Sequence, residues 1–181
     1  MFNVKQILIR AFYQEKKSMK LWFKLLGLLA LVASISVAQA KNEPAPAFTL
    51  SDIYSGKKVS LSDYAGKVVY VDFWASWCGP CRKSFPAMEE IYQANKAKGF
   101  EVITVNLDDN AGLGKEFLKS FKVSFTNLYD DKKQTPSAYQ VATMPSSFLI
   151  DKKGKIRLRH QGYKKSDKAK LDQAIKILLS E

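Results

Sequence analysis

The sequence predicts an α/β fold in which helices flank a central mixed sheet. Three short runs carry this prediction: VVYVDF at 68–73, VITVNL at 102–107, and SSFLI, in which 147–150 is expected as strand. Apolar, β-branched or aromatic residues dominate these runs, as is typical of strands buried on both faces. The segment after the first run instead has apolar residues at helical spacing, so helices are expected between the strands.

The other elements follow along the same sheet. Residues 48–50 and 59–61 flank a Ser-Gly-Lys turn, which indicates an N-terminal hairpin. Phe85, Met88 and Tyr92 recur at helical spacing, with Gly99 ending that helix. We expect Pro86 to kink it. The later elements are expected as a helix at 114–121, a strand at 125–128, a helix at 136–139 and an edge strand at 156–160. A last helix is expected to be capped by Ser166 and to have one apolar face, formed by Leu171, Ala174, Ile175 and Leu178.

Residues 1–40 have the pattern of an export signal. Lysines precede an apolar stretch at 25–37, and Ala38-Gln39-Ala40 supplies the small residues of a cleavage site. We therefore expect a signal peptide that is cleaved after Ala40, and one domain at 41–181. The alternative is an uncleaved membrane anchor, since the stretch at 21–40 is about long enough to span a bilayer.

The domain is basic. The whole chain has a net charge of +12. Residues 1–40 hold six Lys or Arg and one Glu, so removing their charge of +5 leaves +7 for 41–181. The lysine pairs at 57–58, 132–133, 152–153 and 164–165 are spread along the chain rather than concentrated on one element with aromatic residues between them. This spread indicates solvated loops and argues against a nucleic-acid partner.

Cys78 and Cys81 are the only cysteines in the chain. A structural zinc site needs four ligands, and His160 is the only other soft ligand, so we expect no metal. A purely structural disulfide here would close a very short loop and stabilise the fold little. A redox pair is favoured, because the cysteines follow a strand and open a helix. The N–H groups and dipole of a helix N-terminus stabilise a thiolate, the species that attacks a disulfide.

The segment VDFWASWCGPC at 71–81 resembles the active-site segment of the thioredoxin superfamily. Pro86 lies five residues after the second cysteine, where that superfamily has its helix-kinking proline. Met144-Pro145, just before SSFLI, stands at the place of its cis-proline. The resemblance extends from Phe48 to the C-terminus with the order of elements preserved, and it implies a thioredoxin-like fold.

Within the superfamily, the chain is most similar to the exported TlpA/ResA-type branch. The signal-like N-terminus, the hairpin TLSDIYSGKKVSLSDYAGK and the segment at 123–156 carry this resemblance, which implies a short strand-helix insertion. Many members of that branch have a glutamate three residues after the second cysteine, where this chain has Ser84. Asp72 instead occupies the place of the buried aspartate of ordinary thioredoxins, which argues against a role restricted to cytochrome maturation.

The resemblance implies a role for each residue of the pair. Cys78 attacks the substrate disulfide, and Cys81 then attacks Cys78 and releases the reduced substrate. Asp72 is expected to accept the proton of Cys81, because burial in a strand raises the pKa of a carboxylate towards neutrality. The alternative for Asp72 is a core carboxylate that is satisfied by hydrogen bonds.

Residues around the pair are expected to bind the substrate. A cis Pro145 would leave the Met144 backbone free to pair with the substrate chain. Trp77 is expected at the surface facing the substrate, while Gly79 and Pro80 shape the loop and its redox potential. Trp74, which also flanks the motif, is expected to pack in the core, and His160 is expected to be a strand-edge residue.

The expected function is that of an exported, periplasmic thiol–disulfide oxidoreductase that reduces protein disulfides and needs no cofactor. Expected partners are disulfide-containing exported proteins, among them apocytochrome c, and a membrane thiol donor of the DsbD type. Three alternatives remain open. One is a disulfide oxidase or isomerase that uses the same cysteines, and another is a binding module that merely keeps the fold. The last is a thiol peroxidase, although Val71 and Ala75 stand where peroxiredoxins have proline and threonine.

Overall fold

The computed structural model describes residues 43–181, which form one seven-stranded mixed sheet with flanking helices. The strands are β1 Thr49–Asp52, β2 Lys58–Ser60, β3 Val68–Trp74, β4 Phe100–Asn106, β5 Thr126–Tyr129, β6 Ser146–Ile150 and β7 Ile156–Gln161. The α-helices are α1 Gly79–Asn95, α2 Ala111–Leu118, α3 Thr135–Ala138 and α4 Asp167–Ser180. The strand order is β2-β1-β5-β4-β3-β6-β7. The predicted α/β class and central mixed sheet are confirmed.

The predicted signal peptide or anchor, and with it the predicted division at residue 40, lies outside the described residues. Among residues 43–181, no helix is both long enough and apolar enough to cross a membrane.

Strand directions bring three loops to one edge of the sheet. Strand β3 runs parallel to β4, and β4 runs parallel to β5. Strand β6 runs antiparallel to β3, with Ser146 opposite Phe73. The C-terminal ends of β3 and β4 and the start of β6 therefore lie together. The cysteine motif follows β3 and Met144-Pro145 precedes β6, so the topology places both at this edge.

The predicted N-terminal hairpin and strand-helix insertion are both present. Strands β1 and β2 pair antiparallel with Leu50 opposite Val59, and β1 also pairs with β5. The hairpin turn is held by Asp52, whose Oδ1 accepts hydrogen bonds from the amide of Ser55 at 2.8 Å and from its hydroxyl at 2.7 Å. Because β5 pairs with β1 on one side and with β4 on the other, the inserted strand joins the hairpin to the central strands.

Both faces of the central strands are covered by apolar clusters. Phe73 and Trp74 are consecutive in β3, so their side chains point to opposite faces of the sheet. On one face, Trp74 packs against Phe85 of α1, with ring centroids 5.0 Å apart. On the other face, Phe73 packs against Tyr139 at 5.2 Å. Burial on both faces explains why all seven residues of β3 are buried despite the lack of alternation in its sequence.

The bounds of one helix and the cap of another differ from the predictions. The expected helix at 114–121 is α2, which begins and ends three residues earlier. Its start is set by Asn110, whose side chain accepts a hydrogen bond from the Leu113 amide at 3.2 Å. Ser166 stands at the predicted N-cap position directly before α4, but its side chain makes no capping hydrogen bond. Asp167 instead accepts a hydrogen bond from the Lys164 amide at 2.6 Å.

Candidate active site

Cys78 and Cys81 are joined by a disulfide bond at the start of α1. Cys78 is the N-cap residue of that helix, with an extended backbone, and its Sγ accepts a hydrogen bond from the Cys81 amide at 3.2 Å. The first turn holds no acidic residue. Because unpaired N–H groups and the positive end of the helix dipole point towards Cys78, the site favours a thiolate there once the disulfide is reduced.

The two sulfurs differ in access, although both residues are largely buried. Cys78 is 4% exposed and Cys81 is 0% exposed, so the first cysteine is the one that a substrate reaches more readily. Gly79 and Pro80, which separate them, are exposed. Trp77 is 71% exposed beside Cys78, and it offers an aromatic surface next to the outer sulfur.

Trp74 has the packing position that the sequence predicts. It is fully buried between Phe85 and Phe117, with ring centroids 5.0 and 4.7 Å away. These rings belong to the same buried core cluster as Cys78 and Cys81. The indole N–H of Trp74 has no hydrogen-bond partner among the described residues.

The Met144–Pro145 peptide bond is cis, as the resemblance implies. Pro145 is buried and Met144 is partly exposed, directly before the first residue of β6. The carbonyl oxygen of Pro145 accepts a hydrogen bond from the Gly162 amide at 2.8 Å, which ties the loop to the end of β7. Both residues therefore lie at the sheet edge that carries the disulfide.

Asp72 is a buried carboxylic acid in the middle of the sheet. It is 1% exposed, and its Oδ1 accepts a hydrogen bond from the Ser147 hydroxyl at 2.8 Å. Its Oδ2 is buried and has no partner among the described residues. Burial raises the pKa of Asp72 to about 7, although the hydrogen bond from Ser147 acts in the opposite direction. A group with this pKa can accept and release a proton near neutrality.

A groove connects Asp72 to the surface. It runs between α1, β7 and α4, and its lining includes Asp72, Ser84, Pro145, Ser147 and His160. Ser84 lies one turn after Cys81, at the position where many branch members have a glutamate, and its hydroxyl donates to the Cys81 carbonyl at 3.0 Å. The groove contains two carboxyl groups, Asp72 in β3 and Asp167 at the start of α4, and Asp72 is the buried one.

His160 lies on β7, the edge strand of the sheet, as predicted, and it also lines this groove. Its Nε2 is 3.1 Å from Oδ2 of Asp167 at the start of α4. Among residues 43–181, no group of three or more His, Cys, Asp or Glu side chains is arranged to hold a metal ion.

Asp108, which the sequence pattern does not single out, binds Ser76 in the loop that precedes Cys78. Asp108 is 1% exposed, and its two carboxylate oxygens each accept from the Ser76 amide at 3.1 Å. It also accepts from the Ser76 hydroxyl at 3.0 Å and from the Asn106 side chain at 2.8 Å. The position of Asp108 just after β4 could have indicated its place near the cysteine loop. Neighbouring parallel strands end at the same edge of a sheet, so the residues that follow β3 and β4 come together there.

The Redoxin family matches residues 40–175. The chain belongs to this family. It is 35% identical over 153 residues to the thiol-disulfide oxidoreductase ResA of Geobacillus kaustophilus (strain HTA426), a match that covers 78% of this chain and 87% of the relative. It is 38% identical over 117 residues to ResA of Bacillus subtilis (strain 168), a match that spans 65% of each chain.

Solved structures agree with these relatives. A putative thiol:disulfide interchange protein DsbE from Chlorobium tepidum is 50% identical, with a TM-score of 0.74, and the match covers 77% of this chain and 97% of that one. The predicted thioredoxin-like fold is confirmed, as is the predicted ResA-type branch of thiol–disulfide oxidoreductases. Disulfide-containing substrates follow from that family.

Proposed function

We propose that the protein is an exported thiol–disulfide oxidoreductase that reduces disulfides of extracytoplasmic proteins by cycling Cys78 and Cys81 between dithiol and disulfide. The observation that carries the proposal is the position of Cys78 as the N-cap of α1, with its sulfur bonded to the Cys81 amide. A helix start without acidic residues stabilises the attacking thiolate more than an interior position would.

The reaction has two exchange steps. In the first, the Cys78 thiolate attacks one sulfur of the substrate disulfide, forms a mixed disulfide and expels the other substrate sulfur as a thiolate, which takes a proton from solvent. In the second, Cys81 gives its proton to Asp72 and attacks Cys78. The mixed disulfide breaks, the second substrate thiolate leaves, and the Cys78–Cys81 disulfide forms. Two electrons have then passed from the protein to the substrate.

The surface around Cys78 is suited to a protein substrate. Trp77, Gly79 and Pro80 are exposed on one side of the sulfur, and Met144 stands on the neighbouring loop. We infer that the substrate chain lies across this surface and pairs with the Met144 backbone beside Pro145. Exposed backbone groups and an aromatic side chain recognise an extended peptide with little dependence on its sequence.

The proposal places the domain at 41–181 in the periplasm after the segment at 1–40 directs export. Its substrates are then disulfide-containing exported proteins, among them apocytochrome c, and its electrons come from a membrane thiol donor of the DsbD type. Mass spectrometry of the protein from a periplasmic fraction should give a chain that begins at Lys41. A chain that retains 1–40 and sediments with membranes would instead support the anchored form.

The reduction potential of the Cys78–Cys81 pair tests the direction of electron flow. Equilibration against thiol buffers should give a value near that of thioredoxin, about −270 mV. A value near that of the strong oxidant DsbA, about −120 mV, would make the protein a disulfide donor or isomerase.

A trapping experiment tests the roles of the two cysteines. The Cys81→Ser variant should accumulate mixed disulfides through Cys78, whereas Cys78→Ser, the matched control, should accumulate none. Full retention of in vivo function by a variant that lacks both cysteines would favour a binding module. Turnover of peroxides at a rate above that of free thiol would favour the peroxidase alternative.

A further inference from the structure

The side chain of Ser147 contacts the carboxylate on which the proposed reaction depends. Asp72 of β3 and Ser147 of β6 are directly opposite each other in the antiparallel pair. Directly opposite residues project from the same face of a sheet, with Cβ atoms about 5 Å apart. A serine hydroxyl at this position therefore reaches the carboxylate without strain, and it donates to Oδ1 at 2.8 Å.

The two oxygens of Asp72 have different surroundings. Oδ1 accepts the hydrogen bond from Ser147, whereas Oδ2 is buried without any partner among the described residues. Both Asp72 and Ser147 line the groove that passes beneath α1, and so does Ser84, which lies one turn after Cys81. The oxygen without a partner is the one with a free lone pair for an incoming proton.

We propose that Ser147 is a positioning residue for the proton transfer: it fixes the Asp72 carboxylate through Oδ1 and leaves Oδ2 as the atom that takes the proton of Cys81. The inference rests on the proposed function and specifies its second step. Ser147 keeps its own proton and changes no bond. Its hydrogen bond is stronger to the charged carboxylate than to the neutral acid, so it favours the form that can act as a base.

The electrostatics of the groove agree with this role. Burial raises the pKa of Asp72, and the Ser147 hydrogen bond is the contact that lowers it. The other titratable or charged side chains that line the groove are Tyr70, His160, Tyr163, Asp167, Lys168 and Lys170. Burial raises the pKa of Tyr70 far above its usual value, so its phenol stays neutral. His160 is opposite Ser147 across the β6–β7 pair, and it requires a control of its own.

The neighbouring serine provides a matched control on the same strand. Ser146 and Ser147 are both buried, at 1% and 2% exposure. The Ser146 hydroxyl donates to the Thr143 carbonyl at 2.6 Å. Replacing either serine by alanine removes one buried hydroxyl from β6, but only the change at Ser147 removes a donor to Asp72. The Ser147→Thr variant restores the hydroxyl with a β-branched residue that suits a strand.

A rapid-mixing experiment isolates the second exchange step. The reduced protein is mixed with excess dithiobis-nitrobenzoate, which releases one coloured thiolate when Cys78 attacks and a second when Cys81 attacks Cys78. The first phase depends on reagent concentration and the second does not. The rate of the second phase is measured from about pH 5 to pH 9, the range that brackets the pKa of Asp72.

The expected result is a displaced pH profile. In the parent protein the second phase should rise with a midpoint near the Asp72 pKa of about 7. In Ser147→Ala the midpoint should move upwards by about one pH unit, which slows the second phase about fivefold at pH 7. Ser147→Thr, Ser146→Ala and His160→Gln should keep the parent midpoint. An unchanged midpoint in Ser147→Ala, or an equal shift in Ser146→Ala, would overturn the inference.

A second measurement does not depend on catalysis. Carbon NMR of the oxidised protein with labelled aspartate carboxyls gives the pKa of Asp72 directly, and it should rise in Ser147→Ala by the same amount as the kinetic midpoint. A rise in the NMR pKa without a kinetic shift would show that Ser147 does not serve the proton transfer. Loss of the whole second phase in Cys81→Ser tests the proposed function separately, and persistence of that phase would refute the two-cysteine mechanism itself.

Discussion

The Asp72→Asn substitution should make the protein more stable at alkaline pH and leave it without that advantage in acid. The carboxylate is buried, and its pKa of about 7 in the folded protein lies well above its ordinary value of 3.8. The folded state therefore holds the Asp72 proton more tightly than the unfolded state does. Linkage then requires the free energy of unfolding to fall as the pH rises from about 4 to about 7, and to level off above that range.

The size of this effect follows from the difference between the two pKa values. A separation of about three units at 1.36 kcal/mol per unit gives about 4 kcal/mol of stability lost between acid and alkaline pH. Domains of this size unfold with about 5 to 15 kcal/mol, so the cost is a large part of the total. Asparagine is neutral at every pH and removes this dependence, although its amide N–H group needs a partner and costs about 1 to 3 kcal/mol throughout.

Urea unfolding of the oxidised protein, followed by tryptophan fluorescence at several pH values, measures the effect. The difference in unfolding free energy between Asp72→Asn and the parent should grow by about 4 kcal/mol from pH 4 to pH 8.5. Asp131→Asn, which changes an exposed carboxylate, is the control and should show no comparable trend. A difference that stays constant with pH would refute the assignment of a raised pKa to Asp72.

Three further substitutions test the packing and the loop supports by urea unfolding. Phe85→Ala should lose about 3 to 5 kcal/mol, because its side chain is fully buried among aromatic rings. Tyr139→Phe should lose about 1 kcal/mol with the 2.8 Å hydrogen bond to the Pro46 carbonyl. Asp108→Ala should lose about 2 to 4 kcal/mol, since it leaves the amide and hydroxyl of Ser76 without their acceptor. Losses below about 0.5 kcal/mol would contradict the corresponding contact.

The central strands could be predicted from sequence because they are buried on both faces. Continuous β-branched and aromatic runs leave few alternatives to a strand inside a sheet, and each of the three runs is a strand. Helix boundaries are harder to predict because they depend on local hydrogen bonds. The start of α2 depends on the Asn110 side chain, whereas the turn before α4 is held by the Asp167 side chain and not by that of Ser166. Both Asn110 and Ser166 are common capping residues, so composition alone does not distinguish them.

The residues of the candidate site also fall into two groups: those that the sequence pattern predicts and those that only the fold brings to the site. Cys78, Asp72 and Pro145 stand in a recognisable local pattern, so their places could be predicted from spacing and resemblance. Ser147 and Asp108 contact the site only through strand pairing and loop packing, which join residues 75 and 32 positions apart. A serine in a buried strand gives no signal of its own until the register of β3 and β6 is known.

On energetic grounds, the buried carboxylate of Asp72 marks the C-terminal end of β3 as a candidate functional site. A protein selected for stability alone would replace Asp72 by an apolar residue, because an ionised carboxylate in the sheet costs about 4 kcal/mol and no partner among residues 43–181 offsets this cost at Oδ2. The nearby serine reduces this cost only in part. A carboxyl group with a raised pKa is useful where a proton must leave a thiol near neutral pH. Helix α1, which has Cys78 as its N-cap, carries such a thiol at Cys81. The conflict between the local chemistry of Asp72 and the packing of β3 therefore supports the proposed role of Asp72 in proton transfer.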